Sequence, residues 1–175
     1  MSGHSHWAGI KHKKGEVDQK RGVVFSKLLA AITIAAKTEP NPDFNPRLRT
    51  AVQKAKENNV PADNILRAIK RADESEQNIH EAILEAYGPG GTAILIEATT
   101  DNTNRTVPEV KKILNDHGGK WAEPGSVRWA FEIHEDEWVA KFTQPISDKD
   151  RVDLETLIEA ISQQDDVQKI HTNNG

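Results

Sequence analysis

At residues 73–78, DESEQN, the hydrophobic period of this chain changes, and that change constrains its fold more than any other feature. Before it, apolar residues recur at three- and four-residue spacing. Val24, Phe25, Leu28, Leu29, Ile32, Ala35 and Ala36 predict a helix from about Asp18 to Lys37. TEPNPDFNP ends it, with three prolines in nine residues. A second helix is expected to start at Pro46 with Asn45 as its cap, and to bury Leu48, Ala51, Val52 and Ala55. A third starts near Pro61 and carries Ile65, Leu66, Ala68 and Ile69. Residues 1–16 have little periodicity and read as a loosely held arm.

After DESEQN the pattern is that of a sheet with helices. YGPGG marks a turn and TAILIEATT a strand, and IHEAILEA before them is read as a strand closing a hairpin. Thr106 and Glu109 have the spacing of a capping box for the helix VPEVKKILNDHGG, which Gly118-Gly119 stops. SVRWAFEI and EWVAKFTQPI read as strands around a polar HEDE turn. Ser147 or Asp148 caps a further helix, and DDVQKIHTN gives a last strand. The predicted fold class is α+β: a three-helix N-terminal domain, residues 1–75, then a ferredoxin-like βαββαβ domain, residues 76–175, with an extra N-terminal hairpin strand.

Charge follows the same division. Residues 1–72 hold 14 Lys and Arg against 6 Asp and Glu, whereas residues 73–175 hold 9 against 21. A basic module joined to an acidic one suggests that the first meets a polyanion. Lys11, Lys13, Lys14, Lys20, Arg21 and Lys27 follow closely along the arm and first helix. Arg47 and Lys54, like Arg49 and Lys56, are seven apart on the second helix and return to one side of it. Arg67, Lys70 and Arg71 share one face of the third. These spacings supply the continuous cationic surface that phosphates require, and Trp7 is placed either to stack on an unpaired base or to anchor the arm. Binding is expected to be salt-dependent and weakly sequence-specific.

Other chemistries find little support. Without cysteine there is no disulfide, thiolate metal site or thiol nucleophile. His4, His6 and His12 lack zinc spacing; only a chain starting at Ser2 would offer a square-planar copper site through His4, and no metal or other cofactor is expected. GxSxG, HExxH and P-loop patterns are absent, so no catalytic residue is assigned. Asp165-Asp166 and Glu135-Asp136-Glu137 read as exposed acidic turns. TTDNTNRT (99–106) reads as turn and cap chemistry, with Arg105 the residue worth testing. Neither a membrane helix nor a secretory signal is expected. The predicted strands lack paired base-stacking aromatics, so the ferredoxin-like unit is not given an RNA-recognition role, and no helix-turn-helix stands out.

SGHSHWAGIKHKKGEVDQKRG, NPRLRTAVQKAKENNVPADNILRAIKR (45–71), YGPGG (87–91), TDNTNRTVPEV (100–110), GSVRWAFE (125–132) and DDVQKIHTN (165–173) resemble the YebC/PmpR family. The resemblance implies a helical N-terminal domain followed by α/β domains, in a cytoplasmic, non-enzymatic protein. Its bacterial relatives are labelled DNA-binding transcriptional regulators. Others act in translation, among them the mitochondrial activators of cytochrome c oxidase and factors that relieve ribosomes stalled at proline runs. It places nucleic-acid contact on the opening stretch, here Lys11, Lys13, Lys14, Lys20 and Arg21. Two departures stand out: His6 where the family has lysine, and FEIHEDEWVA, which runs almost directly into the last strand-helix-strand segment. The second implies a two-domain member without the family's inserted third domain. The expected protein is a monomeric, ribosome-associated translation factor that grips ribosomal RNA. The rivals are a regulator on promoter DNA and a protein-binding scaffold.

Overall fold

In a computed structural model of the chain, the backbone is described for residues 4–73 and 78–175, and the side chains from residue 17 onward outside 74–77. Three helices come first: α1 His4–Ala36, α2 Pro46–Glu57 and α3 Ala62–Asp73. They share one core, in which Ile32, Ala35 and Ala36 of α1 meet Leu48, Ala55, Val60, Ile65 and Ala68. Asn45 caps α2 as expected, its side-chain oxygen accepting from the Leu48 amide. The Asn45 side-chain amide also donates to the carbonyls of Ala35 and Glu39, fixing the α1–α2 corner. Leu66 is a correction, because it faces solvent beside the cations of α3 rather than the core.

The arm is the larger correction. Residues 4–16 continue α1 instead of forming a loose segment. An apolar stripe is needed only where a helix packs, and this stretch contains no proline and several good helix formers. Packing of Ile32, Ala35 and Ala36 supplies a nucleus from which further turns propagate. Gly22 interrupts this 33-residue helix, and a methyl group there would meet nothing within 4 Å. Gly22→Ala is expected to stabilise the protein by about 0.5–1 kcal/mol, measured as a higher urea midpoint at constant slope.

The rest of the chain is β1 His80–Tyr87, β2 Ala93–Thr100, α4 Thr103–Asp116, β3 Lys120–Ala122, β4 Phe131–His134, β5 Glu137–Ala140, α5 Asp148–Ser162 and β6 Val167–Thr172. This is the α+β class expected. Four strands form one antiparallel sheet in the order β3-β1-β2-β6, and β4 and β5 form a separate hairpin. The unit β2-α4-β3 is a split βαβ, with β1 filling the gap between its two strands. The hairpin strand IHEAILEA thus occupies the slot that a later strand holds in a simple ferredoxin-like order. SVRWAFEI is strand only from Phe131; Arg128–Ala130 form a 3-10 turn. Glu135 and Asp136 both have positive φ, 50° and 65°, as a tight two-residue hairpin requires.

Both faces of the sheet are covered. Ile94 and Ile96 of β2 pack with Val110, Leu114, Leu154, Leu157 and Ile161 of the two helices. Ala93 and Leu95 point the other way, against Val127, Ala130 and Phe131 below the hairpin. Gly90, at φ 70°, lies where a Cβ would come 2.6 Å from Ile146, so the PGG turn requires glycine there. Ser147 caps α5 by accepting from the Asp150 amide. The expected Thr106 capping box is not formed. Helix α4 starts one turn earlier, at Thr103, and Thr106 is buried within it.

Candidate nucleic-acid interface

The cations expected to meet phosphate divide by what they touch. Lys27 is half-buried, and its ammonium donates to the Ser162 carbonyl at the end of α5. Burial pushes its pKa down, while Asp165 pulls it back up. Arg47 pairs with Glu81 of β1, and Lys20 lies 3.6 Å from Glu159 of α5. Lys27 therefore ties α1 to α5, while Arg47, in a pair exposed at both ends, stays available for a ligand. The Lys20–Glu159 pair is exposed at both ends and leaves Lys20 available.

The remaining cations stay exposed. Arg21 covers the Phe25 ring at 5.2 Å, which occupies its planar face but leaves its charge uncompensated. Arg49 braces the α1–α2 loop by donating to the carbonyls of Pro42 and Asp43. Lys54 acts on Glu137 only at range, lowering its pKa after the larger effects of Lys169 and His171. Lys56, Arg67, Lys70 and Arg71 have no hydrogen-bond or ion-pair partner among the described residues. Arg67, Lys70 and Arg71 lie opposite the buried Ile65 and Ala68, so they form the outer face of α3. The side chains of Trp7, Lys11, Lys13 and Lys14, and the His4 copper proposal, lie outside the described residues.

Two carboxylates organise the surface of the α/β part. Asp166 accepts from Thr106 at 2.6 Å, from Arg105 through both oxygens and from Gln164. Burial alone would raise its pKa; the hydrogen bonds from Thr106, Arg105 and Gln164, with the Arg105 charge, outweigh this and hold it low. TTDNTNRT is thus bound to the α5–β6 loop by Arg105 and Thr106, a structural role. The second carboxylate, Glu85 of β1, has a side chain only 1% exposed. It accepts from the backbone amides of Gly125, Val127 and Arg128. Burial again opposes its charge, and the three amides and Arg128 prevail, lowering the pKa. Nothing in the sequence separates Glu85 from Glu81, the other acid of β1.

Among the described residues no group of three or more His, Asp or Glu is arranged to hold a metal ion, and no helix is long and apolar enough to cross a membrane. What the arrangement offers is an exposed, cationic helical surface beside an acidic α/β part.

Comparison with known proteins agrees with this class of molecule. The family described as TACO1/YebC protein N-terminal domain matches residues 5–75, and the one described as TACO1/YebC second and third domain matches residues 79–135. The chain belongs to the TACO1/YebC family. It is 54% identical over 133 residues to a probable transcriptional regulatory protein of Koribacter versatilis, and 53% identical over 135 residues to one of Aquifex aeolicus. In each case 75% of this chain aligns with 54% of the relative, so the chain spans about half the length of the curated relatives it matches. The crystal structure of a conserved hypothetical protein, Aq1575 of Aquifex aeolicus, superposes with a TM-score of 0.82 at 32% identity, covering 98% of this chain and 97% of that one.

Proposed function

We propose that this protein is a non-enzymatic, nucleic-acid-binding regulator of gene expression that acts in the cytoplasm, as a monomer, on the ribosome. Residues 1–75 form the module that grips phosphate, and the acid-rich faces of residues 76–175 limit contact with other polyanions or hold a protein partner. The observation that carries this reading is the outer face of α3, where Arg67, Lys70 and Arg71 have no partner among the described residues, together with the exposed Lys56 of α2. Cations left uncompensated within the fold are available for counterion-releasing contacts with phosphate. Lys11, Lys13, Lys14, Lys20 and Arg21 add further positive charge in the α1 sequence, and Trp7 among them adds an aromatic ring.

The test is sedimentation of C-terminally tagged protein, at native abundance, through a gradient of cell lysate. Migration with ribosomal particles that is lost after RNase but kept after DNase is the expected result. The names of the bacterial relatives favour a second reading, a regulator on promoter DNA. Absence from ribosomal fractions, with DNase-sensitive association elsewhere, would put that reading first.

A further inference from the structure

The α/β part carries a cluster of exposed aromatic rings outside the helical surface. Trp129, in the 3-10 turn before β4, is 62% exposed, and Phe142, just after β5, is 42% exposed. Their rings stack with centroids 5.5 Å apart and an interplanar angle of 28°. Phe142 covers one face of the indole, which leaves the other to solvent. The indole is also fixed in place, because its Nε1 donates to the Ser126 carbonyl at 2.8 Å. The Tyr87 hydroxyl donates to the same carbonyl, which brings a third partly exposed ring beside the pair. The turn beneath is held by the Glu85 carboxylate.

Two lysines lie near these rings in the fold. Lys120 of β3 is directly opposite Tyr87 in the sheet register, so the two side chains share a face. Lys141 lies between the end of β5 and Phe142, its amide donating to the Ala130 carbonyl at the end of the 3-10 turn. The other cations of this part mostly have partners: Arg105 and Lys112 bind aspartates, Arg128 and Lys169 glutamates, Lys111 the Trp121 ring and Arg151 the Gly175 carbonyl. Among the described residues of 78–175, only Lys120, Lys141 and Lys149 have none, and two of these three lie near the aromatic cluster. In a region with a large acidic excess, exposed rings interleaved with unpaired lysines select a ligand that has both π-faces and phosphates.

We infer that Trp129, backed by Phe142, is a stacking platform for an unpaired base of an RNA loop, with Lys120 and Lys141 taking the flanking phosphates. Duplex bases are already stacked on one another, whereas loops present splayed bases to aromatic side chains. The inference rests on the nucleic-acid reading above and adds a second contact, to the base rather than the backbone.

The test uses the full chain and fluorescence anisotropy with two labelled RNAs, a stem with an unpaired loop and the same stem as a continuous duplex. Trp129→Ala and Trp129→Leu are expected to weaken loop binding roughly 5- to 150-fold, the range for losing one stacked base, and duplex binding less than about twofold. Trp129→Phe should retain most of the loop affinity. Lys120→Ala with Lys141→Ala should reduce the salt slope for the loop by about 1.4, and this variant keeps the test valid if the Trp129 variants fold poorly. If the wild type binds both RNAs and no variant changes the loop affinity, the platform is wrong and the helical interface stands. If the wild type binds neither RNA, the function proposed above falls and the platform with it. A DNA stem-loop bound as tightly, with the same dependence on Trp129, would overturn the assignment to RNA.

Discussion

Replacing Arg67, Lys70 and Arg71 together by Gln is expected to weaken duplex binding by about 100-fold or more near 0.1 M salt. Each phosphate contact contributes about 0.9 to the slope of log affinity against log salt, so losing three should flatten that slope by about 2.7. Anisotropy titrations at four salt concentrations measure both quantities. The fold should tolerate the change, since these side chains touch no partner among the described residues. The cost is confined to the favourable placement of Lys70 and Arg71 in the last turn of α3, about 0.3–1 kcal/mol for each lost cation. An unchanged slope, with binding intact, would remove α3 from the interface and leave α1 to carry it.

Local signals in the sequence were reliable because local geometry produced them. Asn45 and Ser147 cap the helices they precede, and the apolar stripes of α1 and α2 became the helical core. Features that depend on distant partners were not legible. Thr106 and Glu109 have capping-box spacing, yet Thr106 is committed to Asp166, sixty residues away in sequence. Lys27 and Arg47 look like their neighbours in the sequence, but their partners are Ser162 and Glu81, on elements that only the tertiary fold brings close. Strand β3 is three residues long, too short for an alternation to register, and its omission displaced the expected strand order. Paired aromatics leave a sequence signal where the alternation of a strand aligns them. The pair that exists joins a 3-10 turn to a segment following β5. Residues 4–16 are the converse case: they are helical without an apolar stripe in the sequence, so periodicity alone did not reveal them.

Glu85 is expected to give the largest stability effect of any single residue. Its carboxylate is the acceptor for three backbone amides of the 125–128 turn, and among the described residues no other acceptor is bonded to them. Glu85→Ala leaves these donors unpaired, two of them beside the buried Val127, at a cost of about 3–5 kcal/mol. Glu85→Gln keeps one acceptor oxygen but turns an NH2 group toward the remaining donors, for about 2–3 kcal/mol. Urea denaturation of each variant measures the difference. The pH dependence follows from the depressed pKa of Glu85, and Asp166 acts in the same direction. For an acid whose folded pKa lies below its unfolded value, the contribution is complete above the unfolded value, about 4, and is lost as pH falls through the folded one. Wild-type stability should therefore hold from neutrality down to about pH 5 and decline below about pH 4. Glu85→Gln should show a shallower decline, because it has already lost one of the acids whose pKa is lowered by folding. Because the same turn carries Trp129, acid should also alter Trp129 fluorescence before global unfolding, and a Trp129 signal that changed only with the global transition would show that the clamp does not set the indole's position.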